Sequence, residues 1–146
     1  MRLFSREIKV SVEQKDGMLD VAGYLNDDRH EMKVCLTIIP GAMSIEAAGA
    51  EMIRAPYEIC RRALEGVKLL KGLQVKPGIN KKVWELMGGS KGCVHIRDLI
   101  NEAFKGAVQA DIQLKVWDLT GNSRYKALQQ ILQGSCLRYP GENSAV

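Results

Sequence analysis

The sequence predicts an α+β fold, in which an antiparallel meander of three to four strands is followed by three to four helices packed on one face. Two observations predict it. Up to about residue 54, apolar and polar side chains alternate with the period of a half-buried strand, and from Pro56 onward apolar residues recur at helical spacing. Strands that come first and helices that come after are typical of the α+β class.

The strands are separated by turn residues. Asp16-Gly17 favours a tight hairpin turn because that pair tolerates positive φ, Asn26-Asp27-Asp28 indicates a second turn, and Pro40-Gly41 ends the third strand. Strands are therefore expected over residues 8–12, 19–25, 32–38 and, more weakly, 44–54. In each strand one face is apolar, so the meander has one buried face.

The helical half begins at Pro56, which suits the first turn of a helix because its missing N–H has no partner there. Ile59, Ala63, Val67 and Leu70 recur at helical spacing. Further helices are expected around residues 80–87, after the Cys93-Val94-His95 motif, and over residues 123–132. We expect one domain over residues 1–140 and a frayed tail over residues 141–146.

Composition narrows the class of protein. Of 146 residues, 46% are apolar and 26% charged, which is ordinary for a globular domain, and the net charge is +4. Aromatic residues make up only 5%, which argues against a nucleic-acid stacking platform. The chain shows no signal-peptide pattern and no apolar run long enough to cross a bilayer. A cytoplasmic location is therefore expected, with cysteines that are thiols or metal ligands rather than disulfides.

The side chains with metal or redox chemistry are two histidines and four cysteines. His30 shares the parity of the apolar residues of the third strand, whereas Cys35 has the opposite parity and faces away. Cys60 lies near the start of the Pro56 helix, on the stripe of Ala63. Because residues two apart diverge inside a helix, Cys93 and His95 can cooperate only if the last part of the motif is extended. This predicts a helix that begins at or after His95, with Asp98 in its first turn.

His30, Cys60, Cys93 and His95 all lie at element ends that can converge over the inner sheet face. Two thiolates and two imidazoles form a tetrahedral ligand set suited to zinc, or to the iron of an iron–sulfur cluster. Cys136 is an alternate ligand. The competing interpretation is an ordinary helix start with buried thiols.

Four motifs of the chain resemble those of an uncharacterised bacterial domain family of unknown function, over about residues 5–140. They are His30-Glu31-Met32, Pro56-x3-Cys60, the segment from Gly88 to Ile96, and Cys136 with Tyr139. The third follows a Gly-Gly-x-x-Gly-Cys-Thr-His-Leu pattern, with Val94 in place of Thr and Ile96 in place of Leu. The resemblance implies no activity. The predicted topology is also similar, more distantly, to the iron–sulfur scaffold and sulfur-acceptor fold, which favours metal or sulfur chemistry.

Two other functions stay open. Cys93 can be the nucleophile of a thiol enzyme or sulfur acceptor, held as a thiolate by the helix N-terminus, with His95 or His30 as its base. Alternatively, the basic half from Arg61 to Lys91 can dock an acidic protein or another anion in a non-catalytic adaptor. Nucleic acid is a poorly supported partner, and neither a substrate nor an oligomeric state is indicated.

Overall fold

The computed structural model describes residues 1–141. Four strands come first: β1 (Arg6–Lys15), β2 (Met18–Asp27), β3 (Glu31–Ile39) and β4 (Ser44–Arg54). A 3-10 helix (Glu58–Ala63) leads directly into α1 (Leu64–Lys68), and a 3-10 turn (Gly89–Lys91) follows α2 (Ile79–Met87). The long α3 (Val94–Lys115) and α4 (Gly121–Leu132) complete the described chain. The predicted α+β class and strand-then-helix order are confirmed.

The strands form one antiparallel sheet in the order β1-β2-β3-β4, a simple meander. The first hairpin closes at Asp16 and Gly17, which both have positive φ, at 50° and 78°. This is the backbone of a type I′ turn, and it places Lys15 opposite Met18. At the other end of the sheet Arg6 lies opposite Asp27, and Glu31 lies opposite Arg54.

The apolar faces of the strands and helices form the core. Leu25, Met32 and Val34 are fully buried, as are Leu99 and Ile100 of α3. Because glycine has no side chain at position 23, Leu99 approaches the sheet to within 3.1 Å of where a Cβ of Gly23 would lie. Cys35 on the opposite face is exposed, as its parity predicted.

The segment after Pro56 differs from the regular helix that the spacing predicts. Ala63, Val67 and Leu70 are buried, but Ile59 is 65% exposed. In a 3-10 helix residues three apart lie above one another, so Cys60 rather than Ile59 shares the side of Ala63. The prediction for Ile59 was wrong because it assumed 3.6 residues per turn.

The described chain divides into two compact units, residues 1–110 and residues 111 onward. In the second unit Arg124 of α4 donates hydrogen bonds to the carbonyl of Val116 and to Gln113, at 2.9 and 2.8 Å.

A single domain over residues 1–140 stays a prediction. The predicted frayed tail lies outside the described residues, apart from Gly141. Among the described helices, none combines the length and apolar character needed to cross a membrane.

Candidate functional site

The connection between β2 and β3 is organised by one buried carboxylate, that of Asp27. Its Oδ1 accepts hydrogen bonds from the backbone N–H groups of Arg29 (2.9 Å) and His30 (2.7 Å), and lies 3.0 Å from Nδ1 of the His30 ring. Asp and Asn side chains commonly stabilise turns in this way. The turn therefore fixes the His30 ring as well as the backbone.

Two arginines complete the support of this turn. Arg6 on β1 donates from Nε and Nη2 to Oδ2 of Asp27, at 3.0 and 2.7 Å. Arg54 at the end of β4 donates to the side chain of Asn26 (2.7 Å) and to the carbonyl of Asp27 (2.8 Å). The site is thus anchored to both edges of the sheet.

Asp27 is ionised at neutral pH. Its burial opposes ionisation, but hydrogen bonds from the Arg29 backbone, the Arg6 guanidinium and both the backbone and ring of His30 outweigh that cost and hold the pKa of Asp27 well below its usual range. An ionised carboxylate only accepts hydrogen bonds. Nδ1 of His30 must therefore carry a proton, which leaves Nε2 with the free lone pair whenever the ring is neutral.

The second part of the site comes from the start of α3. The imidazole of His95 stacks on that of His30, with ring centroids 3.9 Å apart and planes tilted by 32°. Sγ of Cys93 lies 3.7 Å from Nδ1 of His95, within hydrogen-bond distance for sulfur. The fold thus brings together three of the four predicted ligands, and Cys93, His95, His30 and Asp27 form one chain of contacts.

The start of α3 differs from the prediction by one residue. The helix begins at Val94, and the amide of Arg97 donates to the carbonyl of Cys93, so Cys93 is the residue before the first turn. The backbone of such a residue is not helical and its side chain reaches back over the first turn. Cys93 therefore contacts His95 although His95 is helical. Asp98 lies too far along to belong to the first turn, contrary to expectation.

The backbone before Cys93 depends on Gly92. A Cβ at this position would lie 2.4 Å from the carbonyl oxygen of Met87, the last residue of α2. Only glycine allows α2 and the start of α3 to approach so closely. The glycines of the motif therefore place Cys93.

The burial of His95 affects its charge. Desolvation lowers the pKa of His95 below its usual value, and electrostatic interaction with His30 and Arg6 adds to this, against the weaker opposite effects of Asp27 and Asp98. His95 is therefore neutral at physiological pH and has a lone pair available.

The two other predicted cysteines lie elsewhere. Cys60 is half-buried and lines a cleft together with residues 90–92, directly before Cys93 in the chain. Cys136 is exposed and belongs to the second unit, where hydrogen bonds from the backbone of Arg138 and Tyr139 lower the pKa of its thiol. As ligands, both stay predictions.

Among residues 1–141, one set of potential metal ligands has all its donor atoms within 4.8 Å of one another: Asp27, His30 and His95. Sequence reasoning treated Asp27 as a turn residue and did not consider Arg6. The signal was present, because Asp27 continues the inward parity of Val21 and Leu25, and Arg6 continues that of Ile8. A charged residue at an inward strand position indicates a buried ion pair.

Three of the eight basic residues between Arg61 and Lys91 form ion pairs with nearby glutamates. Arg61 pairs with Glu58, Lys68 with Glu65 and Lys82 with Glu85. Each pair is three residues apart and exposed, so each adds little to stability. Docking of an acidic protein to Arg61–Lys91 stays a prediction.

These features define the protein as an α+β domain with a histidine–cysteine cluster, supported by a buried aspartate, between a strand turn and a helix start. The chain belongs to the family described as protein of unknown function (DUF2889), which matches residues 4–109. The match covers the whole cluster and excludes Cys136. No curated protein and no solved structure matches the chain, so the expected similarity to the iron–sulfur scaffold is not confirmed.

Proposed function

We propose that this protein is a small metal-binding protein that holds one zinc-class divalent ion with His30, Cys93 and His95. The observation that carries the proposal is the meeting of a thiol and two imidazoles, with Cys93 Sγ 3.7 Å from His95 Nδ1 and the two rings stacked at 3.9 Å. Imidazole and thiolate are the ligands that zinc prefers.

The spacing of one donor pair, Cys93 Sγ and His95 Nδ1, fits a tetrahedral ion. Zinc–sulfur and zinc–nitrogen bonds of about 2.3 and 2.05 Å at a tetrahedral angle separate the two donors by about 3.6 Å. The Cys93 Sγ to His95 Nδ1 distance is 3.7 Å. An ion can therefore bind between these two atoms with little movement of either side chain. The His30 ring must turn toward that ion, because the set whose donor atoms all lie within 4.8 Å of one another contains His30 and His95 but not Cys93.

Asp27 serves this site as an orienting group rather than as a ligand. Its oxygens already accept from Arg6, from two backbone N–H groups and from Nδ1 of His30. Histidines that bind metals commonly donate their second ring N–H to a carboxylate, which fixes the tautomer and strengthens the ligand. The Asp27–His30 hydrogen bond supplies this arrangement, with Nε2 as the donor atom to the metal.

Cys60 is the proposed fourth ligand, because it lines the cleft that ends at Gly92, next to Cys93. A mononuclear site is favoured over an iron–sulfur cluster. Iron–sulfur clusters are held mainly by cysteine thiolates, whereas Cys93 is the one thiol among the described residues within hydrogen-bond distance of either imidazole.

Metal analysis of protein purified without oxygen tests the proposal. We expect close to one zinc per chain and a colourless solution, and an absorbance band in the visible region would instead indicate an iron–sulfur cluster. Cys93→Ser should abolish retention of the metal. Cys35→Ser is the matched control, since Cys35 is exposed on the other face of the sheet and should change nothing. Wild-type protein that is folded, metal-free and unable to take up zinc contradicts the proposal.

The contact between Cys93 Sγ and His95 Nδ1 supports a second candidate, a thiol enzyme or sulfur acceptor. His95 is neutral and lies at 3.7 Å, so it can take the thiol proton and leave Cys93 as the attacking thiolate. His30 and Asp27 then extend the chain behind the base.

Alkylation of metal-free protein near neutral pH distinguishes this candidate. A thiol enzyme predicts that iodoacetamide modifies Cys93 much faster than Cys35, and that His95→Gln removes the difference. Equal rates at the two cysteines would reject it.

We further propose a cytoplasmic location, because its reducing conditions keep the thiols of Cys60 and Cys93 available. An acidic protein remains the proposed partner of the basic half.

A further inference from the structure

The cleft beside the cluster has the size and charge of a small-molecule site. Its volume is about 420 Å³, and it lies between the 3-10 helix and the loop before Cys93. Small-molecule sites typically measure about 300–1,000 Å³. The cleft is therefore suited to a metabolite-sized ligand and too small for a folded partner.

The charged side chains that line the cleft are both basic. They are Arg62 and Lys91, and no aspartate or glutamate lines it. Lys91 donates to the backbone carbonyl of Glu85 at 3.2 Å and forms no ion pair within the described residues. The cleft therefore favours an anion.

Arg62 differs from the arginine that precedes it. Arg61 pairs with Glu58 and donates to the carbonyl of Met52. Arg62 has no ion pair or side-chain hydrogen bond to any residue in the described part of the chain, and its guanidinium is free to bind a ligand. Arginine binds carboxylate and phosphate groups through two parallel hydrogen bonds.

The cleft also connects this cation to the proposed metal site. Cys60 and Gly92 line it, and Gly92 directly precedes Cys93. We propose that the cleft binds the oxyanion group, carboxylate or phosphate, of a small molecule through Arg62, next to the metal-binding cluster. This inference rests on the proposed function for its location beside a metal, but the anion site itself is defined by the cleft.

Titration of ¹⁵N-labelled protein, both metal-free and after addition of zinc, with potassium phosphate and, separately, with sodium succinate tests it at constant ionic strength. We expect a saturable shift of the amides of Cys60, Ser90, Lys91 and Gly92 with at least one probe. The tighter probe identifies the group as phosphate or carboxylate. Arg62→Gln should weaken binding at least tenfold.

Lys71→Gln is the matched control, because it also removes one exposed positive charge from this region but lies outside the cleft. Equal weakening in both variants, or no saturable shift at the cleft amides, would overturn the anion site. Cobalt(II) loading, followed by its visible spectrum, is measured in parallel. Retained cobalt without anion binding rejects only this inference, whereas anion binding without cobalt uptake rejects only the metal site.

Discussion

Nδ1 of His30 lies 3.0 Å from Oδ1 of Asp27, at the turn that joins β2 to β3. The carboxylate is almost fully buried, with a side-chain exposure of 1%. The same oxygen accepts the backbone N–H groups of Arg29 and His30, so one side chain sets both the turn and the ring. Stability and the proposed metal site therefore depend on the same residue.

Asp27→Asn should destabilise the protein by about 2–4 kcal/mol, because it removes the negative partner of Arg6 from a buried ion pair. It should also free His30 to change its tautomer, which ¹⁵N spectra of the imidazole nitrogens report directly. Asp28→Asn, the neighbouring exposed carboxylate, is the control in urea unfolding. Equal stability of the two variants would show that the buried pair contributes nothing.

Because the pKa of Asp27 is low in the native protein, the free energy of unfolding should depend on pH in acidic solution. Below the ordinary carboxyl pKa of about 4, the unfolded chain takes up a proton at this position and the native protein does not. The contribution of Asp27 is therefore complete above that pH and is lost as the pH falls toward its native pKa. Urea unfolding of metal-free protein between pH 3 and 6 should show a shallower pH dependence for Asp27→Asn than for wild type. Parallel curves would refute this.

Replacing a metal ligand should lower the zinc affinity more than replacing the residue that orients a ligand. His95→Gln should lower zinc affinity at least a hundredfold, and Asp27→Asn by about 10- to 100-fold, the usual effect of losing an orienting partner. Competition with a chelating dye measures both. His30 and His95 are the two histidines of the chain, so every imidazole signal in its ¹⁵N spectra comes from this site. An affinity unchanged in His95→Gln would remove this residue from the ligand set.

Gly92→Ala should destabilise the protein by about 1–3 kcal/mol, the usual cost of forcing a group into a filled space. The added Cβ would lie 2.4 Å from the carbonyl oxygen of Met87, so the backbone before Cys93 must move. Weaker zinc binding should accompany the loss. Gly49→Ala is the control, since nothing lies within 4 Å of its Cβ position. Thermal unfolding in which the two variants match would contradict the structural role of Gly92.

The strands could be predicted from the sequence because alternation and turn residues agree along the whole meander. Parity also placed His30 on the inner side and Cys35 on the outer face. The helix start was misplaced by one residue because a capping position combines an extended backbone with a side chain directed at the first turn. Ile59 was misplaced because a 3-10 helix and an α-helix cannot be told apart from apolar spacing alone.

The contact between His30 and His95 could not be derived from periodicity. It depends on how α3 crosses the sheet, and that is set by packing such as Leu99 against Gly23. Asp27 was missed for a different reason. Aspartate is common in turns, so Asp27 was assigned to the turn. Its position on the inner face of β2, opposite Arg6, was therefore not considered.

X-ray absorption at the zinc edge of the loaded protein tests the central claim most directly, because it reports the atoms bound to the ion. The proposed site predicts a first shell that contains sulfur at about 2.3 Å and two nitrogens at about 2.0–2.1 Å, with the multiple-scattering pattern of imidazole. Cys93→Ser should lower the number of sulfurs in that shell by one, leaving at most that of Cys60, or lose the ion. A wild-type shell of oxygen and nitrogen alone, with no sulfur, would contradict the account.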